Sequence, residues 1–220
     1  CDASLRRGGQ VLAQQTNIPQ SHSRHPWAFY LQADEVLHED DTTRIRASLC
    51  RWYHDQATDA LNFRFIHFEG TYAYVNIVRY RTQCRLVRNN GQLESVGDAA
   101  GFGRADGGAL RARRSGGRIF HYGWARAPEV MKKKTQAFER LWLDDAAVEA
   151  RWKDVSPEDM GEVEIAFRFH GTHPAVMRDR VGAATWEAPA ERRPPFDTPL
   201  LSTAFYAAWL RKWHILPRRR

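Results

Sequence analysis

Two carboxylates, Asp34 and Glu35, follow closely after an apolar run at residues 27–31. Such a run is typical of a short strand buried on both faces. In open α/β sheets the carboxyl end of a strand faces the ligand crevice. Mg²⁺ and Mn²⁺ prefer carboxylate oxygens and leave coordination positions for phosphates. The acidic pair is therefore a candidate for holding a metal against a diphosphate, and the alternative is an acidic strand exit that solvates a turn.

Asp98 is an acidic candidate for general-base chemistry. It follows a predicted strand and precedes the glycines of residues 101–117, so it can project into a cleft beside a flexible binding loop. A general base must remove the proton of an attacking hydroxyl group. The alternative is an aspartate that stabilises a turn, and Glu69 is the reserve candidate for the base.

Basic side chains at and before a predicted helix, residues 128–142, are candidates for binding phosphate. Arg126, Lys132 and Lys134 would offer positive charge there, and a solvated face is the alternative for Lys132 and Lys133.

Composition and charge limit the class of protein. The 220 residues carry 33 basic and 26 acidic side chains, a formal charge of +7, which suits nucleic acid, anionic headgroups or phosphate-bearing substrates. Three widely spaced cysteines match neither a disulfide framework nor a zinc site, which fits a reducing cytosol. No apolar run approaches the ~18 residues of a membrane span, and no leader segment is recognisable. A cytoplasmic protein is expected.

Periodic apolar residues predict an α/β fold. Residues 42–57 carry an apolar stripe at helical spacing, and residues 61–68 alternate as in a strand. Further strands are predicted at 72–80, 83–88 and 118–122. We expect a main domain at residues 1–185 and an extension at 186–220, in which a proline-rich linker precedes an amphipathic helix, 200–213. That helix would pack on the domain or, alternatively, contact membrane headgroups.

Residues 29–35 place an acidic pair after an apolar run, and residues 119–126 place a His-Tyr pair before a predicted helix that bears lysines. These two segments resemble parts of family 2 glycosyltransferases, which have the GT-A fold. Residues 29–35, Phe-Tyr-Leu-Gln-Ala-Asp-Glu, resemble their strand and acidic motif. Residues 119–126, Ile-Phe-His-Tyr-Gly-Trp-Ala-Arg, resemble their later His-Tyr segment, which a lysine-bearing helix follows. Between them, residues 84–88 and 96–99 stand where such enzymes carry an acceptor-side strand and an acidic base. The resemblance covers roughly residues 4–180. It implies a GT-A-like mixed sheet flanked by helices, with a helical C-terminal extension.

The acidic motif departs from the family pattern at one position. Gln32 stands where the family has the first aspartate of Asp-x-Asp. A glutamine can hydrogen-bond a ribose hydroxyl, but it is a poor ligand for a hard cation. Only 26 residues precede Trp27, fewer than two strand–helix units need, so part of the N-terminal nucleotide-binding half is expected to be missing.

The resemblance also implies a role for each candidate residue. The metal ligands would be Asp34, Glu35 and His121, and the metal Mn²⁺ or Mg²⁺. Asp98 would be the catalytic base. The substrate-binding residues would be Gln32, Trp124, Arg126 and Lys134.

The expected function is transfer of a sugar, with inversion and with help from a divalent metal. The donor would be a nucleotide-sugar, and the acceptor a hydroxyl of a glycan, a lipid-linked molecule or another compound. A basic nucleic-acid-binding module and a non-catalytic GT-A relative are the alternatives. Nucleic acid is not expected as a partner because the basic residues are scattered and not interleaved with aromatic residues on one face. Peripheral contact with the inner face of the membrane stays open as a second location.

Overall fold

The computed structural model describes Leu5 and residues 9–76, 79–157 and 166–186. The helices are α1 Gln10–His22, α2 Thr42–Trp52, α3 Pro128–Glu139, α4 Asp145–Trp152 and α5 Arg178–Gly182. The strands are β1 Trp27–Phe29, β2 Glu35–Leu37, β3 Ala60–Glu69, β4 Tyr74–Asn76, β5 Thr82–Arg88, β6 Leu93–Val96, β7 Gly101–Arg104, β8 Ala112–Trp124 and β9 Ala166–Arg168. Within these ranges, no helix combines the length and the apolar character needed to cross a membrane.

The central strand of the main sheet is β3. One of its edges pairs in parallel with β8, and the other pairs antiparallel with β5 and then with β4. The sheet continues outward from β8 to β2, from β5 to β1 and from β4 to β9. Register shifts along β3 mark local irregularities, which bend a strand and increase its twist. The predicted α/β fold with a mixed sheet and flanking helices is therefore confirmed.

Helix α2 packs on one face of this sheet through the stripe that the sequence predicts. Ile45 is buried against Leu61, Phe63 and Phe65 of β3, and Leu49, Trp52 and Tyr53 pack around the same cluster. Gly117 of β8 permits this close packing, because a Cβ there would lie 2.5 Å from Ile45 Cγ1. The alternation predicted for residues 61–68 is confirmed by the same contacts.

Buried aspartates hold the long strand β8 at two points. Asp59 accepts hydrogen bonds from the backbone and guanidinium of Arg111 at 2.9 Å each. Asp41 accepts from the backbone N–H of Arg118 at 2.9 Å and from its guanidinium at 2.7 Å. Burial raises the pKa of Asp41, but the bonds from Arg118 and Arg44 outweigh it and leave that pKa below its ordinary value. The second half of β8, which begins just after Arg118, is thus fixed relative to the start of α2.

The first strand differs from its prediction. It ends at Phe29 and pairs with β5 alone among the described strands, so it is an edge strand and not one buried on both faces. Phe29 is 42% exposed as a result. The apolar run 27–31 does not distinguish a central strand from an edge strand. The described part of the chain ends at Trp186. The rest of the linker and the helix predicted within residues 186–220 lie outside it.

Candidate functional site

A cavity of about 500 Å³ is lined by several parts of the chain, and four of them supply most of its candidate functional side chains. The turn before β2 supplies Gln32 and Asp34, and the connection before β7 supplies Asp98. Strand β8 supplies His121 and Trp124, and helix α3 supplies Lys134. Among the residues predicted from the sequence to form a site, those that line this cavity are Gln32, Asp34, Glu35, Asp98, His121, Trp124 and Lys134. Arg126, Lys132 and the reserve base Glu69 do not line it.

Asp34, His121 and Lys134 meet at the centre of the cavity. Lys134 Nζ donates a hydrogen bond to Asp34 Oδ2 at 2.8 Å. His121 Nε2 lies 3.6 Å from Asp34 Oδ1. The backbone N–H of Tyr122 donates to the Asp34 carbonyl at 2.8 Å, which ties the acidic turn to β8. Residues 34 and 121 therefore lie in one pocket although 87 positions separate them.

Gly123 makes room for this cluster. A Cβ at position 123 would lie 2.7 Å from His121 Nε2 and 2.8 Å from Lys134 Nζ, and closer still to Asp34 Oδ2. Such separations are shorter than van der Waals contact. Any side chain at this position would push the three functional groups apart.

Burial and charge act in opposite directions on Asp34. Burial raises its pKa, but the hydrogen bond from Lys134 and the charge of His121 outweigh this effect and hold the pKa below its ordinary value. Burial lowers the pKa of His121, although Asp34 opposes that change. At neutral pH the pocket therefore holds a carboxylate next to a neutral imidazole.

A second histidine, which the sequence analysis did not identify, supports His121. Parallel pairing of β3 with β8 places His67 opposite His121, and their Nδ1 atoms lie 2.6 Å apart in a buried hydrogen bond. Burial, followed by the charge of His121, lowers the pKa of His67 to about 2. A hydrogen bond between two neutral imidazoles needs one Nδ1–H and one bare Nδ1. If His121 donates, its Nε2 is bare and able to bind a metal; if His67 donates, His121 Nε2 carries a proton towards Asp34.

Glu35 points into an ion pair with a buried arginine. Arg85 donates to Glu35 from Nε at 2.7 Å and from Nη2 at 2.5 Å, and both side chains are almost fully buried. Its Nη1 also donates to the Ala100 carbonyl at 3.1 Å. Because the guanidinium binds both carboxylate oxygens, we assign Glu35 to positioning the turn that carries Asp34, not to the metal set predicted for it.

Gln32 and Asp98 lie on the same wall of the cavity. Gln32 Nε2 donates to the Ala99 carbonyl at 3.2 Å, and Asp98 Oδ1 accepts from the Ala100 N–H at 3.2 Å. The Asp98 side chain is exposed. The reserve base, Glu69, is instead buried and accepts from Asn76 at 2.6 Å.

Arg126 lies in a different cavity from the other predicted residues. That second cavity borders the first at Ala33 and Asp34. Arg126 Nε is buried and has no hydrogen-bond partner in the described part of the chain. The sequence analysis grouped Arg126 with Lys134 because Arg126 precedes α3 and Lys134 lies within it. The strand exit and the helix direct them to different sides of the acidic turn.

The donor set of the first cavity fits a divalent ion through two protein ligands. Asp34 Oδ1 and the Nε2 of His121 face one another at 3.6 Å, close to the spacing of neighbouring ligands in a metal site. No group of three or more His, Cys, Asp or Glu side chains suited to a metal occurs among the described residues. An ion here would take its remaining ligands from phosphates and water, as Mg²⁺ commonly does. The imidazole favours Mn²⁺ over Mg²⁺.

Compared with protein-family models and with curated proteins, the chain matches none of them. Its function is therefore inferred from its own residues and their geometry.

Replacing Gly123 by Ala should disrupt the site while leaving the fold intact. The new methyl group displaces the ends of side chains, which move more easily than backbone, so stability should stay within about 1 kcal/mol of the wild type. Affinity for Mn²⁺ with uridine diphosphate should fall by about a hundredfold, because the groups move apart. Titration calorimetry and thermal melting measure the two effects. Gly182→Ala is the control, because a Cβ there meets nothing within 4 Å; equal affinities in both variants would contradict this account of Gly123.

Replacing His67 by Phe should weaken metal binding. Phenylalanine keeps an aromatic ring at this position, but His121 loses the hydrogen-bond partner that orients it and selects its tautomer. Loss of such supporting bonds typically lowers metal affinity by about 10-fold to 100-fold. Mn²⁺ binding followed by electron paramagnetic resonance tests this, with exposed His170→Phe as the control. Unchanged Mn²⁺ affinity in His67→Phe would show that the histidine pair has no such role.

Proposed function

We propose that this chain is a GT-A-type glycosyltransferase domain that transfers a sugar from a nucleotide-sugar to an acceptor hydroxyl. The observation that carries the proposal is the meeting of Asp34, His121 and Lys134 in one cavity. Asp98 lies on the wall of the same cavity, as a general base would have to. The residues that resemble the family 2 motifs are the ones that meet there.

The diphosphate of the donor binds at Lys134. Its ammonium group has three N–H donors, of which two bind Asp34 Oδ2 and the Gly123 carbonyl. The third donor is available to a phosphate oxygen. Asp34 and His121 are the residues that would hold Mn²⁺ or Mg²⁺, and the ion when bound neutralises charge that develops on the leaving diphosphate.

Asp98 removes the proton from the acceptor hydroxyl. The acceptor oxygen forms a bond to the anomeric carbon while the bond from that carbon to the diphosphate breaks. The proton passes to the Asp98 carboxylate, and the nucleoside diphosphate leaves with the electron pair. A direct displacement of this kind inverts the anomeric centre.

Release of nucleoside diphosphate from nucleotide-sugars tests the proposal. The purified full chain with Mn²⁺ is incubated with a panel of uridine, guanosine, thymidine and cytidine nucleotide-sugars, in the presence and absence of simple acceptor glycosides. We expect release from at least one donor, faster with an acceptor and reduced in Asp98→Asn. No release from any donor, with full binding of metal and nucleotide, would identify a non-catalytic relative and refute the proposal.

A further inference from the structure

The second cavity, which Arg126 lines, combines cationic side chains with an apolar wall. These are features of a binding site for a molecule that carries an anionic group on an apolar part or a ring. Its volume is about 480 Å³, and it lies between the acidic turn, the start of α3 and helix α5. Ala33 and Asp34 line both cavities, so the two cavities border one another at the acidic turn.

The positive charge of this cavity is not neutralised within the described part of the chain. Arg126 Nε is buried without a hydrogen-bond partner there. Arg180, which also lines the cavity, is exposed and forms no ion pair with a described residue. Asp34 is the one acidic side chain among the described lining residues, and its carboxylate is already bound by Lys134 at 2.8 Å. A buried donor without an acceptor costs stability unless a ligand satisfies it.

Three aromatic residues, Tyr72, Tyr122 and Trp186, form part of the apolar wall, and aliphatic side chains form the rest. The polar atoms of two of them are already used: the Tyr122 hydroxyl pairs with His173 Nδ1 at 2.9 Å, and Trp186 Nε1 donates to the Gly70 carbonyl at 2.9 Å. Tyr72 packs edge-on between these two rings, with centroid distances of 5.6 and 5.3 Å. These two aromatic residues therefore offer a ligand mainly ring surface, next to aliphatic side chains and the two guanidinium groups.

We propose that this cavity is an acceptor subsite for a saccharide that carries a phosphate or a carboxylate. Arg126 and Arg180 bind the anionic group, the aromatic wall packs against the sugar ring, and the reacting hydroxyl extends past Ala33 and Asp34 into the first cavity. The acceptor role rests on the proposed glycosyl transfer, whereas binding of the anionic sugar does not.

Binding of glucose 6-phosphate to the full chain, without donor, tests the proposal. Glucose and inorganic phosphate are titrated alongside it by calorimetry. We expect glucose 6-phosphate to bind more tightly than either component, because the cavity supplies both cationic and aromatic contacts. Arg126→Gln and Arg180→Gln should each weaken it by about 10-fold or more, as expected for loss of a charge-assisted hydrogen bond.

Two control variants locate the effect. Exposed Arg46→Gln, on α2, should leave the affinity for glucose 6-phosphate unchanged. Lys134→Met should weaken uridine diphosphate by a larger factor than glucose 6-phosphate, which separates the two cavities. Arg180 is exposed, so its variant should fold even if Arg126→Gln does not, and thermal melting checks both.

Equal affinity for glucose and glucose 6-phosphate would overturn the proposal. The proposal would also be overturned if Arg46→Gln weakened binding of glucose 6-phosphate as much as Arg126→Gln and Arg180→Gln do. Inorganic phosphate binding as tightly as the sugar phosphate would reduce the cavity to a simple anion site and overturn the saccharide assignment. Binding that follows the predicted pattern in a protein without transferase activity would refute the proposed function, not the site.

Discussion

Replacing Asp34 by Asn should reduce the rate of nucleoside diphosphate release by about a hundredfold to a thousandfold, similar to the loss of one stabilising group at a reacting centre. Asparagine has nearly the same shape, so the change removes charge and leaves the packing largely as it was. The variant leaves the Lys134 ammonium without its carboxylate partner and removes the one anionic ligand of the proposed metal pair. Steady-state kinetics with the best donor from the panel measures the effect.

The pH dependence of the wild type provides a related check on Asp34. Its pKa lies below the ordinary value, so the carboxylate stays ionised when the pH falls from neutral into the mildly acidic range. The contribution of Asp34 to activity should therefore persist there, and should be lost only as the pH falls through the lowered pKa. Asp154→Asn, at an exposed position on the surface, is the matched control and should keep full activity. An Asp34→Asn variant that releases nucleoside diphosphate as fast as this control would remove the residue from the proposed mechanism.

Replacing Glu35 by Gln should destabilise the fold by about 3 to 5 kcal/mol, the cost typical of leaving one partner of a buried ion pair uncompensated. Arg85 is 2% exposed, so bulk solvent compensates little for the lost carboxylate charge. For a chain of this size, the change corresponds to a fall in melting temperature of roughly 10 °C. Thermal and urea denaturation at neutral pH measure it.

Glu94→Gln is the control for this change, because Glu94 is exposed on β6 and its variant should stay within about 0.5 kcal/mol of the wild type. The double variant Glu35→Leu with Arg85→Met should recover part of the loss, because it removes both charges together. If Glu35→Gln melts like the wild type but no longer binds Mn²⁺, Glu35 is a metal ligand, and our assignment of it to the ion pair is wrong.

Local patterns in the sequence were sufficient to predict several elements. The apolar stripe predicted α2 and the face that it buries, and alternation predicted β3. Pro128 correctly marked the start of α3, because its fixed φ and missing N–H suit the first turn of a helix. These signals are local, since each depends on the periodicity or backbone geometry of a single segment.

The contacts that build the site depend on pairing between distant segments, which local periodicity does not specify. His67 meets His121 only because β3 and β8 pair in parallel in one particular register. Alternation along β3 shows which side chains share a face, but not which strand lies beside them. Likewise, nothing in residues 27–35 indicates that Arg85, 50 positions after Glu35, will bind both carboxylate oxygens.

Arg126 and Lys134 show the same limit at the start of α3. Their charge led to the prediction of phosphate binding, which stays a prediction. It did not indicate that the acidic turn would divide the space between them into two cavities. That division depends on residues of α5 and on Trp186, which come from the far end of the described chain.

The most direct test of the central claim measures the affinity for uridine diphosphate with Mn²⁺ present. Four proteins are compared: the wild type, Asp34→Asn, Lys134→Met and the double variant. Groups that act on one ligand are coupled, so we predict that each single change weakens binding by about tenfold or more and that the double change weakens it by clearly less than the product of the two. Affinities that equal the wild-type value in both single variants, or losses that simply multiply, would contradict a shared diphosphate site at Asp34 and Lys134.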